Sequence, residues 1–211
     1  MISKYKIICI DIDGVLISSV EYYANLYRKV AEEMWWEKWL PYKIYHNLVG
    51  KTIDQALYMI PVENREKALK LYDKYNDETR NTWNYQEVKW ATEFLKSLKD
   101  NNKKVALVSS KSRIGIDLLL KHFSWWKFVD FSIAWDEVIE FKPNPDCLLQ
   151  TIDFFNSEPK DMIMIWDSLH DLYAAKNTNI DFIWVLTWVC NAKQWDNENA
   201  KYIKSIASIK N

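Results

Sequence analysis

The stretch that decides the fold is Lys6 to Gly14, KIICIDIDG. Four apolar residues, Ile7 to Ile10, lead into two aspartates and a glycine. The run is too short for a helix and has no alternation of apolar and polar residues, so it predicts a strand buried on both faces, as in a parallel sheet. Similar runs recur at Lys104 to Ser109, Phe128 to Ile133, Asp161 to Trp166 and Asp181 to Leu186, giving five expected strands. Between them, Ala91 to Lys99, Ile114 to His122 and Pro145 to Phe155 carry apolar residues at helical spacing, with Phe94, Leu95 and Leu98 on one face of the first. Strands alternating with helices predict an α/β fold with a doubly wound parallel sheet and right-handed crossovers.

Residues 17–86 break the alternation. Only helical periodicity appears there, with Tyr22, Leu26 and Val30 in one stretch and Ala68, Leu71, Tyr72 and Tyr75 in another. Gly50 precedes Thr52, a cap for a helix containing Ala56 and Leu57. The expected organisation is a core of residues 1–16 and 87–211 interrupted by a helical insertion at 17–86. A chain of 211 residues has room for that and not for two full-sized domains.

Bulk properties narrow the function. With 28 Lys and Arg against 29 Asp and Glu, the net charge is -1, which offers no basic stripe for nucleic acid or anionic membrane. The apolar run at the N-terminus is too short for a signal peptide or a membrane span, so a cytoplasmic location is expected. Cys9, Cys147 and Cys190 show no metal-ligand spacing and read as reduced, packed thiols. His46, His122 and His170 form no pattern and read as surface or packing residues.

The chemistry gathers at the strand ends. In an open parallel sheet, ligands bind beyond the carboxyl ends of the strands. There stand Asp11 and Asp13, then Ser109 and Ser110 with Lys111, then Asp167 with Asp171 one turn on, and Lys142-Pro143 ahead of the fourth strand. Several carboxylates on one edge repel each other unless a cation sits among them, and hard oxygens suit Mg²⁺. A divalent ion beside an aspartate, facing hydroxyls and a lysine, is the equipment of phosphoryl transfer. Taken singly each motif is weak: Asp-Gly is ordinary turn chemistry, the serines could cap the next helix, and Lys142-Pro143 could be a solvated loop. Lys111 reads as a solvated neighbour of the site.

Together, DIDGVL at Asp11–Leu16, VSS at Val108–Ser110, KPNPD at Lys142–Asp146 and DSLHD at Asp167–Asp171 resemble the four ordered motifs of the haloacid-dehalogenase-like hydrolases. The resemblance is to the phosphoglycolate-phosphatase and β-phosphoglucomutase group, whose core carries a helical cap after the first strand. It implies a Mg²⁺-dependent phosphatase acting on a small phosphorylated metabolite through an aspartyl-phosphate, as a monomer or weak dimer. It makes Asp11 the nucleophile and a metal ligand, Asp13 the acid/base and a ligand through its carbonyl, and Asp167 a metal ligand. Ser109 and Ser110 bind phosphate, Lys142 neutralises nucleophile and phosphate, and Asp171 orients the metal's water shell. Mutases of the group usually carry a cap histidine and arginine where Tyr23 and Ile53 stand here, which favours hydrolysis over a sugar phosphomutase. The cap tyrosines Tyr22, Tyr23 and Tyr27 read as helix packing in preference to a stacking platform, although Tyr23 could face the substrate. A signalling receiver domain and a catalytically impaired binding protein are the readings outside hydrolysis.

Glycine departs from expectation. About 15 are expected at an average frequency of roughly 7%, yet the chain has Gly 3 and Trp 12. Trp90, Trp135, Trp166, Trp184 and Trp188 stand where the resembled family commonly has glycine, and Trp35, Trp36, Trp39 and Trp125 fall at loop-like positions. Glycine codons read as tryptophan, for instance a reassigned UGA, would produce this composition. Bulky side chains at such positions are expected to strain the backbone or overpack it.

Overall fold

The computed structural model describes residues 1–34, 62–80, 85–140, 142–167, 169–186 and 201–209. Strand β1 (Ile7–Ile10) is buried at all four positions and pairs in parallel with β4 (Lys104–Val108) on one side and β6 (Met162–Trp166) on the other. Ile10 lies opposite both Leu107 and Ile165. Beyond β4 lies β5 (Phe131–Ile133); beyond β6 lie β7 (Asp181–Val185) and β8 (Tyr202–Ile203). The order β5-β4-β1-β6-β7-β8 makes a six-stranded parallel sheet flanked by helices. The chain winds outward from β1 in one direction and then returns to continue in the other, so the strand order reverses beside β1. That crevice is where such a sheet binds ligands.

Two expectations change. The sheet has a sixth strand, β8, whose two residues are too few to show any apolar pattern; its place rests on Trp184 N–H and Leu186 N–H donating to Lys201 O and Ile203 O at 3.0 and 2.9 Å. The strand expected from Phe128 begins only at Phe131. Phe128 and Val129 N–H both donate to Trp125 O, closing a 3-10 turn at Trp125–Lys127 that keeps them out of the sheet.

Helix α3 (Ala91–Asp100) buries Ala91, Phe94, Leu95 and Leu98, the face its spacing predicts. Helix α4 (Arg113–His122) is capped by Ser112, whose hydroxyl accepts from Gly115 N–H at 3.3 Å, so neither Ser109 nor Ser110 serves as the cap. Helices α5 (Asp146–Phe155) and α6 (Leu169–Thr178) follow β5 and β6. Cys9 and Cys147 are free and buried, and burial pushes both thiols up in pKa, Cys147 to about 11. Cys190 lies outside the described residues.

Contacts divide the chain into two compact units, one of Met1–Ile17 with Glu87–Asn211 and one of Ser18–Gln86. The second contains α1 (Val20–Glu33) and α2 (Val62–Arg80). Val30 and Ala68 pack there with Met34, Leu69, Leu71, Tyr72 and Tyr75. Tyr22 and Tyr75 hydroxyls donate to Asn76 and Glu33 at 2.6 and 2.8 Å, and Tyr22 and Tyr23 rings meet edge to face. These tyrosines tie α1 to α2. Strands β2 (Ile17–Ser18) and β3 (Gln86–Glu87) form a separate two-stranded sheet. Gly50, Thr52 and Ile53 lie outside the described residues. Among those described, no helix is long and apolar enough to cross a membrane.

The tryptophans do not behave alike. Trp125 is fully buried, stacks on Phe123 with ring centroids 4.6 Å apart, and donates its Nε1–H to Thr92 Oγ1 at 2.8 Å. It is a core residue even though it stands in the connecting 3-10 turn. Trp135 opens the 3-10 turn Trp135–Glu137 and is half-buried. Trp166 and Trp184 are buried and face each other in register across β6 and β7; the Trp166 Nε1 has no hydrogen-bond partner among the described residues. Trp35, Trp36, Trp39 and Trp188 lie outside those residues.

Trp90 matches the glycine expectation most directly. It precedes α3 at φ 72°, ψ 17°, with its side chain exposed. The other positive-φ residues described are Gly14, Ser124 and the asparagines Asn102, Asn156 and Asn179, all small or tolerant of this region. Holding a bulky L-residue left-handed costs about 1–2 kcal/mol. Trp90→Gly should therefore raise the melting temperature by roughly 2–4 °C per kcal/mol relieved, whereas Trp90→Ala, which keeps a Cβ, should not. Equal midpoints for the two variants in a thermal melt would remove the strain account. A UGA codon at this position in the source transcript is the matching genetic result.

Candidate active site

The loop after β1 presents both aspartates. Asp11 N–H donates to Ile165 O at 3.1 Å, which continues the β1–β6 ladder and brings the Asp11 carboxyl to the strand-order reversal. Leu16 and Ile17 N–H both donate to Ile12 O, and Gly14 N–H to Ile17 O, so the chain doubles back immediately. Gly14 makes that reversal at φ 72°, where a Cβ would be strained. Asp13 emerges half-buried beside the buried Asp11.

The other predicted residues arrive from neighbouring elements. Ser109, fully buried, and Ser110, half-buried, follow β4; Asp167 follows β6; Asp171 stands in the first turn of α6. Asp11, Asp167 and Asp171 are all buried and each offers a carboxylate oxygen within 4.8 Å of the others. Lys142, 1% exposed, sits among them. Its ammonium donates to Val108 O at 3.0 Å, pairs with Asp171 at 2.9 Å and Asp11 at 3.9 Å, and lies 4.5 Å from the centre of the Trp166 ring. The indole expected to crowd the metal loop thus forms a wall against which the lysine is held.

Lys111 corrects the sequence reading. It is buried, and its Nζ lies 3.1 Å from Asp13 Oδ1. Because the turn after β4 directs the side chain back toward the β1 loop, it is a partner of the acidic group instead of a solvated neighbour. Its adjacency to Ser109-Ser110 was the only signal in the chain.

The site's charge does not close on itself. Among the described residues, Asp11, Asp13, Asp167 and Asp171 face Lys111 and Lys142, which leaves two negative charges there when all are ionised. Asp11 Oδ1 and Asp167 Oδ2 are buried with no hydrogen-bond partner among the described residues. Buried polar atoms are almost always satisfied, and buried charge without a partner is costly. Burial accordingly pushes the Asp11 carboxyl up to about 7, against the pull of Lys142 and with the help of Asp171 and Asp13. Asp167 is raised by burial and then by Asp11, Asp171 and Asp13. Burial works to lower Lys142, but Asp171 and Asp11 outweigh it and its pKa rises. Two orphaned hard oxygens and a deficit of two positive charges fit one divalent cation. His122 is exposed against Phe123; His46 and the side chain of His170 lie outside what is described.

A carboxyl able to act as a nucleophile, a buried lysine and an acidic cluster meet at the reversal point of a parallel sheet, where such sheets bind ligands. The model of the haloacid dehalogenase-like hydrolase family matches residues 8–185, and the chain belongs to that family. It is 22% identical over 204 residues to pyrophosphatase PpaX of Bacillus mycoides, covering 91% of this chain and 88% of that protein. A haloacid dehalogenase-like hydrolase from Bacteroides fragilis superposes with a TM-score of 0.85 at 22% identity, covering 95% of each chain. A protein described as a phosphoglycolate phosphatase, from Lactobacillus delbrueckii subsp. bulgaricus, superposes with a TM-score of 0.87 at 16% identity, covering 97% and 96%. Family membership removes the receiver-domain reading.

Proposed function

We propose that the chain is a Mg²⁺-dependent phosphatase that hydrolyses a small phosphomonoester through an aspartyl-phosphate on Asp11. The observation that carries this reading is the meeting of Asp11, Lys142 and two buried carboxylate oxygens without a hydrogen-bond partner among the described residues at the reversal point of the sheet. Asp11, Asp167 and the backbone carbonyl of Asp13 would hold the ion, which supplies positive charge against the phosphate oxygens. Asp171 would orient its water shell. Lys142 neutralises the Asp11 carboxylate and the incoming phosphate, and Ser109 and Ser110 donate to phosphate oxygens. The Asp11 carboxylate attacks phosphorus, and the departing ester oxygen takes a proton from Asp13. Water then attacks the aspartyl-phosphate, Asp13 takes that water's proton, and phosphate leaves. Residues 17–86 act as a helical cap that selects the substrate.

Purified protein with Mg²⁺ should release phosphate from p-nitrophenyl phosphate and from some members of a panel of phosphoglycolate, sugar phosphates and nucleoside monophosphates. Transfer between hydroxyls of a sugar phosphate without phosphate release would establish the mutase instead. Binding with no turnover of any of them would leave the impaired binding protein.

A further inference from the structure

We infer that Lys111 is a positioning residue for Asp13, fixing the direction of the carboxyl that serves the leaving group; the inference rests on the acid/base role proposed above. The two lysines divide the acidic cluster. Lys142 takes Asp11 and Asp171, at 3.9 and 2.9 Å, and Lys111 takes Asp13 at 3.1 Å. The Lys111 side chain is 4% exposed, and an ammonium is kept at such a site only when a charge partner offsets its lost hydration.

Its backbone is held on both sides. Lys111 N–H donates to Ser109 Oγ at 3.3 Å, and Lys111 O accepts from Trp135 N–H at 3.2 Å, so the turn after β4 fixes where the side chain starts. Of the four site carboxylates, Asp13 is half-buried while Asp11, Asp167 and Asp171 are buried. An ammonium fixed 3.1 Å from Asp13 Oδ1 restricts the direction of the whole carboxyl, which is what proton transfer to a leaving oxygen requires.

The leaving group provides a test that a purely structural role does not pass. A p-nitrophenolate departs without a proton, whereas an alkoxide needs one. Lys111→Met should lower kcat/KM for an alkyl phosphate such as glycerol phosphate about 10- to 100-fold, the scale of a misplaced catalytic group, and that for p-nitrophenyl phosphate by less than about 3-fold. Lys111→Arg should restore most of the loss. In an Asp13→Asn background, Lys111→Met should have little further effect, because the group it positions is already gone. Equal losses on both substrates, or full additivity with Asp13→Asn, would overturn the inference. A rise in KM alone would make Lys111 a substrate-binding group and overturn it too. Should Lys111→Met not fold, Lys111→Gln, which keeps a donor of similar length, carries the same comparison. Wild-type protein that turns over neither phosphate would instead overturn the phosphatase reading itself.

Discussion

Asp11→Asn should leave no measurable turnover, while Asp13→Asn should retain a trace. The asymmetry follows from the roles proposed for the two groups. Without a carboxylate at position 11 no aspartyl-phosphate forms, and the two-step route is closed. The Asp13 contribution is proton transfer, worth roughly 10²–10⁴ in rate, so its loss slows the route without removing it. The Asn side chain is close in size to Asp and sits in a loop fixed by backbone hydrogen bonds to Ile12 O and Ile165 O, so the fold should survive both changes. Phosphate release by purified variants, with circular dichroism as a check on folding, decides the matter. Substantial activity in Asp11→Asn would remove the mechanism.

Chelation should abolish activity, Mg²⁺ should restore it, and the same ion should stabilise the protein more at pH 8 than at pH 5. Burial raises Asp11 to about 7 and Asp167 in the same direction. A carboxyl raised in the folded state contributes stability that is fully present below its unfolded value near 4 and is lost as pH rises through the folded value. Without metal, the site therefore becomes a growing liability between about pH 4 and 7. Asp130, Asp181 and Glu137 are shifted the other way, the last by Arg113, and their contributions fall away only at the acid end. The interval from pH 5 to 8 consequently reports the site. At a hundred times its Kd, Mg²⁺ should contribute about 2.7 kcal/mol, and Asp167→Asn should remove most of the shift. Metal-independent hydrolysis, or a Mg²⁺-induced melting shift no larger at pH 8 than at pH 5, would count against the cation site.

Legibility differed from residue to residue. Asp11, Ser109, Asp167 and Asp171 could be placed at the edge of the sheet because each follows a short apolar run or lies one turn beyond it, and such a run specifies a buried strand that ends there. Lys142 could be singled out through the Lys-Pro pair and the resemblance, but its contacts with Val108, Asp11, Asp171 and the Trp166 ring could not be read. Ser109-Ser110 carried two readings, and only the Ser112 cap on α4 separates them. Strand β8 had no pattern to read, since two residues are too few to show an apolar period and only the pairing with β7 defines it.

The sequence by itself determined the α/β class, the helical periodicity that recurs in α1 and α2 and the set of polar residues at the strand ends. Those properties depend on apolar periodicity and on neighbours along the chain, which a one-dimensional pattern records. Only the tertiary structure decided that Lys111 is buried against Asp13, that Trp125 is core while Trp90 is held left-handed, and that the carboxylates outnumber their ammonium partners by two. Burial, backbone handedness and charge balance are set by atoms distant in sequence, and whether a given lysine or tryptophan is an asset or a strain depends on what folding places beside it.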